Sequence, residues 1–247
     1  MIRTILLLVF ALTFSLVAQP EWLKEVYLKS ANYSVAEKAD AVVLHYQNDM
    51  NIGKNSNTES KIKVAVKVLR EAGENAATPS IPMHSWLKAD DVKGWLLRKG
   101  EKTEKLKKEN IIEMNPDGYS DNRILFGSFG DLQPGDVVGF EYKLNEKGWS
   151  SLFQRLIFQV QNPVRFSQLT LKIPKGWVLK RYERNMDPFT YSENGNIHVW
   201  KAEDLSFRPQ EVLMPPWGYL TRKMDFVCYK PGSKNERHFD DWQDVAN

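Results

Sequence analysis

The sequence predicts an all-β protein: an antiparallel β-sandwich, or two sandwiches sharing one extended sheet, with few short helices. Three observations carry that expectation. Apolar residues recur with period two through most of the chain, as on strands with one dry face and one wet face. Pro, Gly, Asn and Asp cluster between those runs in turn-forming combinations. Helical periodicity is confined to short stretches.

Taken in order, residues 1–18 ("MIRTILLLVFALTFSLVA") stand apart, with Arg3, an apolar run from Ile5 to Phe14 and the small residue Ala18. This pattern predicts a signal peptide cleaved after Ala18, and so an exported protein. The run falls short of the roughly 20 apolar residues that span a bilayer. "PEWLKEVYLKSA" follows, with Trp22 and Val26, and Leu23 and Tyr27, at i, i+4 spacing, the mark of a short amphipathic helix.

The strands come next. In "SKIKVAVKVLR", Ile62, Val64, Val66 and Val68 oppose Lys61, Lys63, Ala65 and Lys67. The stretch 96–115 is rich in Lys and Glu, but Gly100 and Thr103 suit a charged hairpin, whose lysines protect a sheet edge. Val138, Phe140, Tyr142 and Leu144 alternate in one run, Leu156, Phe158 and Val160 in another, Leu169, Leu171 and Ile173 in a third. Asn194-Gly195 separates "FTYSE" from "NIHVWKA" and predicts a hairpin with a type I′ turn. In "KMDFVCYK", Met224, Phe226 and Cys228 share one face.

The totals exclude some functions. With 34 basic and 31 acidic residues the formal charge is +3, far from the clustered basic face that nucleic acid requires. The single Cys cannot form an internal disulfide; without an adjacent base, Cys228 reads as a buried small hydrophobe. His45, His84, His198 and His238 stand at no metal-ligand spacing, and no nucleophile elbow, phosphate loop or dinucleotide fingerprint appears. Asp90-Asp91 and Asp240-Asp241 are adjacent carboxylates, which on a strand face opposite sides and at a helix start act as caps. No catalytic constellation and no cofactor is expected. Trp86, Trp95, Trp149 and Trp217 are placed either to fill a core or to stack on a ligand; Trp86 and Trp217, with Trp242, are the candidate ligand or partner contacts.

Three stretches together resemble a known family: "GSFGDLQPGDVVGFEYKL" (127–144), "FQVQNPVRFSQLTLKIPKGWVLK" (158–180) and "HVWKAEDLSFRPQEVLMPPWGYLTRKMDFV" (198–227). In order and spacing they look like the domain of unknown function found N-terminal to the transglutaminase-like domain in exported bacterial proteins. The earlier pair "ADAVVLHYQNDMNI" and "KIKVAVKVLREAGE" is similar to that family's opening.

The resemblance implies a β-sandwich domain over residues 19–236. The tail 237–247, "RHFDDWQDVAN", resembles the first turn of the transglutaminase-like core, with Asp240, Asp241 and Trp242; otherwise it is a simple tail. The core's Cys, His and Asp are not in this sequence, so the expectation is a secreted, non-catalytic accessory domain. It would position or select substrate for a transglutaminase-like, cysteine-peptidase-type partner, in cis or in trans. Two alternatives stand beside it: an envelope module that binds glycan or peptide through its Trp residues, and a truncated fragment of such an enzyme. The expected location is the periplasm or the medium of a bacterium.

Overall fold

The computed structural model describes residues 19–32, 38–148, 153–159, 161–209, 211 and 213–232, with the side chains of Asn32, Phe153 and Trp217 outside that description. One eight-stranded sheet forms the frame. It contains β1 (Ala41–Ile52), β2 (Thr58–Val68), β4 (Leu87–Leu97), β5 (Glu104–Lys105), β8 (Val137–Glu146), β10 (Val164–Lys172), β12 (Thr190–Asn194) and β13 (Ile197–Leu205), in the order β12-β13-β10-β1-β2-β8-β4-β5. Two three-stranded sheets lie against it. One is β3 (Ser80–Met83), β7 (Arg123–Gly127) and β6 (Ile111–Met114); the other is β11 (Val178–Arg184), β14 (Arg222–Tyr229) and β9 (Phe153–Gln159). Among the described residues, helix is limited to α1 (Glu21–Lys29), α2 (Glu74–Ala77), α3 (Trp217–Leu220) and short 3-10 turns. The architecture is therefore all-β, two sandwiches on one shared sheet. β1 and β10 pair in parallel, whereas the other strand pairs are antiparallel.

Alternation places the cores. On one half of the shared sheet, Met50, Leu169, Leu171 and Trp200 meet Phe158, Met224, Phe226 and Cys228 of the β11-β14-β9 sheet. On the other half, Val66, Val68, Leu96, Val138 and Phe140 point to the side closed by β3-β7-β6. Gly127 of β7 comes so close there that an added Cβ would meet Leu106 and Phe140 at 3.0 and 3.2 Å. Between the two clusters β1 changes character: Tyr46 and Asn48 separate Val43 from Met50. Burial raises the Tyr46 and Tyr142 phenols above their usual range.

The lysine-bearing face of β2 departs from simple alternation. Ala65 is fully buried, because α1 lies across it and inserts Leu23 among Val42, Leu44, Trp95 and Val137. Gly139 permits this approach: a Cβ there would stand 2.5 Å from the Leu23 side chain. A bulge between Val43 and His45 turns both Leu44 and His45 toward the helix. Trp95 is consequently a core residue, 6% exposed.

Two local expectations are corrected. The 190–205 hairpin forms, but Asn194 pairs with Ile197, so the two-residue loop is Gly195-Asn196. Only Gly195 has positive φ, +63°, and a type I′ turn needs two such residues. Asp90 and Asp91 also fail to face opposite sides. A bulge between Asp90 and Lys93, with Asp91 at φ +53°, brings both carboxylates to β8: Asp90 accepts from Asn145 Nδ2 at 2.8 Å and Asp91 from Lys143 Nζ at 2.5 Å. The Lys143 ammonium holds the Asp91 carboxyl below its ordinary pKa.

Candidate functional site

Of the predicted contact residues, Trp86 is the one whose side chain the structure describes, and it is presented to solvent. It follows Ser85 at the tip of the connection from β3 to β4, where His84 and Leu87 close the turn through backbone bonds of 3.0 and 3.1 Å. The backbone around it is pinned. Ser85 N–H donates to Asp121 Oδ2 at 3.0 Å, Trp86 N–H donates to His84 Nδ1 at 3.3 Å, and Trp86 O accepts from Lys147 N–H at 2.9 Å. The Ser85 hydroxyl also donates to Asp121, and its bonding keeps that carboxyl below its usual pKa.

The indole is 58% exposed, an unusual position for so large an apolar ring. It borders a groove of about 530 Å³ between the β1–β2 turn and the ends of β4 and β8. Asn51, Asn57, Lys88, Asp90, Asn145 and Lys147 supply polar groups to its walls. Some of these are braced against one another. Gly148 N–H donates to Asn57 Oδ1 at 3.4 Å, Asn57 N–H donates to Asn55 Oδ1 at 3.3 Å, and Asn145 is held by Asp90. The β1–β2 turn is tight: an added Cβ on Gly53 would meet Asn55 Oδ1 at 2.6 Å. An aromatic face beside planar amides, carboxylates and ammonium groups can stack on a ring or apolar segment and hydrogen-bond its polar edge. It offers binding.

The other candidates lie elsewhere. Trp217 begins α3, far along the chain from the groove residues, and its side chain is not described. Trp242, Trp149, the 1–18 segment and the 237–247 tail fall outside the described residues. Cys228 is fully buried in the β14 core, and burial pushes its thiol up to about 12, which makes it inert. His45 lies between Trp22, tilted at 5.4 Å, and Phe166, stacked at 4.9 Å, and His198 lies buried on β13, so both are face residues of strands. Among the described residues no three His, Cys, Asp or Glu side chains come together as a metal site, and no helix is long and apolar enough to cross a membrane. The asparagines beside Trp86 carry a sequence signal that motif reading passes over, since "NIGKNSNT" looks like an ordinary polar turn.

Residues 54–208 match the family described as Domain of Unknown Function with solved-structure structure (DUF3857). No curated protein matches the sequence. The chain shares its fold with a protein from Parabacteroides distasonis ATCC 8503 whose crystal structure is described as that of a "putative protease": TM-score 0.65, 12% identity, 77% of this chain and 40% of that one. This chain thus spans well under half of that protein's length. Weaker similarities are to leukotriene A4 hydrolase from Saccharomyces cerevisiae (TM-score 0.39, 11% identity, 81% of this chain and 31% of that one) and to the M1 zinc metallopeptidase from Deinococcus radiodurans (0.35, 9%, 79% and 46%).

Proposed function

The chain belongs to the DUF3857 family, and on that premise we propose that it is an exported, non-catalytic β-sandwich module that holds substrate for a transglutaminase-like, cysteine-peptidase-type partner domain. The observation that supports this reading most is the contrast between Trp86 and Cys228. The chain's one thiol is sealed in a core with a raised pKa, while the large ring of Trp86 is held open by a pinned turn. A binding surface is what a substrate-positioning domain needs: it raises the effective concentration of a substrate near chemistry performed elsewhere. The fold shared with part of a larger protein described as a "putative protease" agrees with such a division of labour.

The test measures peptide hydrolysis and cross-linking by the purified chain alone and joined to a transglutaminase-like domain. The chain alone should be silent. The joined protein should exceed the isolated core in kcat/KM, and Trp86→Ala should remove that gain while leaving kcat on a small unanchored substrate unchanged. Turnover by the chain unaided would overturn the reading.

A second reading is favoured by the amides that flank Trp86: the same groove would take an envelope glycan, the indole stacking on a sugar face. Glycan-array binding that disappears in Trp86→Ala, with the melting temperature unchanged, would select it over the first.

A further inference from the structure

The floor of the Trp86 groove is a row of side chains running across four strands. Asn51 on β1 pairs with Glu59 on β2, Glu59 with Asn145 on β8, and Asn145 with Lys88 on β4. All four line the groove. Met50 and Ile52 flank Asn51 and point into the β14 core, so the row lies on the opposite, outward face of the shared sheet. Neighbouring strands stand about 4.8 Å apart, which makes the row roughly 15 Å long.

Across this floor the hydrogen-bonding groups are sorted. In the β1–β2 turn, Asn55 Oδ1 accepts from Asn57 N–H at 3.3 Å, and Asn57 Oδ1 accepts from Gly148 N–H at 3.4 Å. Both bonds use the oxygen end of the amide and leave its Nδ2 end to donate. On β8 the opposite holds: Asn145 Nδ2 donates to Asp90 Oδ2 at 2.8 Å, which leaves Oδ1 to accept. Beyond β8, next to β4, stands the Trp86 indole on its pinned tip. From the turn to the tip the order is donor, acceptor, aromatic ring.

The same floor is a poor seat for a peptide. Peptides commonly dock by adding a strand to a sheet edge or by laying apolar side chains in a groove. Here β2 and β8 are interior strands, paired on both sides along the row, and the floor carries amides and charges. The lining charges are mixed, Glu59, Asp90 and Glu146 against Lys88 and Lys147, which selects neither a polyanion nor a polycation.

We propose that the groove binds a glycan through an N-acetylated amino sugar. The acetamido C=O would accept from Asn55 or Asn57 Nδ2, its N–H would donate to Asn145 Oδ1, and a pyranose ring would stack on Trp86. A secondary amide carries one acceptor and one donor on opposite edges, which matches the two sorted sides of the groove. Hydroxyl groups both donate and accept, so they would gain nothing from that sorting. The proposal rests on the glycan reading of the same groove and names its sugar.

The experiment is calorimetric titration of the full chain with chitotetraose, cellotetraose and acetyl-Ala-Ala-Ala-amide, with ¹⁵N NMR of the Asn145 side chain and the Trp86 indole. Chitotetraose should bind about tenfold more tightly than cellotetraose, which lacks the acetamido groups, and should shift both NMR signals together. The peptide, which has the amide without the ring, should bind more weakly than chitotetraose. Asn55→Asp combined with Asn57→Asp keeps both oxygen acceptors of the turn and removes both donors. It should lower chitotetraose affinity to that of cellotetraose, with circular dichroism confirming the fold. Equal binding of the two tetrasaccharides would overturn the acetamido assignment and leave the glycan reading standing, whereas binding of neither would remove both. Peptide binding as tight as that of chitotetraose would also overturn the proposal.

Discussion

The two halves of the shared sheet are closed in different ways. Under β10 and β13 the core is a conventional sandwich, sheet on sheet, and the opposite face of those strands carries paired polar side chains such as Lys201–Glu203 and Arg165–Asp204. Under β2, β4 and β8 the sheet is buried on both faces, by β3-β7-β6 on one side and by α1 on the other. The first half is sealed by strands far apart in sequence. The second relies on an N-terminal helix of nine residues that, alone in water, would be too short to persist. Tyr46 and the buried Asn48 and Ser167 lie between the two clusters, and each half is expected to respond to mutation separately.

The comparison can be broken most strongly at its conventional end. Phe226→Ala empties the centre of the β14 core and should cost about 3–5 kcal/mol, read as a lower urea midpoint. Leu23→Ala should cost about 2 kcal/mol or somewhat more, since it removes one fully buried side chain from a peripheral helix. Its sharper readout is hydrogen exchange: protection should fall around α1 and β8 Gly139 and persist in β14. Equal loss in both regions would show one cooperative unit in place of two.

A smaller effect is expected from pH. Burial lowers the pKa of His45, beside α1, and of His198, in the other half, below the ordinary 6.5. In the window just below 6.5 the unfolded chain binds more protons than the folded one, so stability rises with pH and falls as pH drops from about 7 toward about 5. Replacing His198 by Phe should flatten part of that slope, and replacing His45 the remainder; a slope unchanged in both variants would refute the assignment. The smallest effect belongs to Trp86→Ala, which should change stability by no more than about 0.5 kcal/mol because the ring is largely in water. Its consequence should appear in binding alone.

Much of this was written in the sequence. Alternation named the inward residues of β2, β8, β10 and β14 correctly, and i, i+4 spacing found α1, because burial of one strand face or one helix stripe leaves a periodic trace. The candidate site was only partly legible. Trp86 and Trp95 look alike in the chain, each a Trp near a Lys, yet one is 58% exposed and the other 6%. What separates them is whether α1 arrives to cover the strand, and that is decided by Gly139 and Leu23, more than a hundred residues apart. The row Asn51–Glu59–Asn145–Lys88 was equally hidden, since strand order and register set which side chains stand beside each other.

The sequence by itself determined the class of fold, the strands and their dry faces, and the unreactive character of the lone thiol, since these follow from local patterning and composition. Only the tertiary structure decided that two sandwiches share one sheet through a parallel β1–β10 pair, and that Trp86 stays open while Trp95 is buried. Those depend on strand order, on bulges at Val43–His45 and Asp90–Lys93, and on the close approach of distant segments. Period-two patterning is blind to all three, because a strand's alternation is the same whichever neighbour it finds.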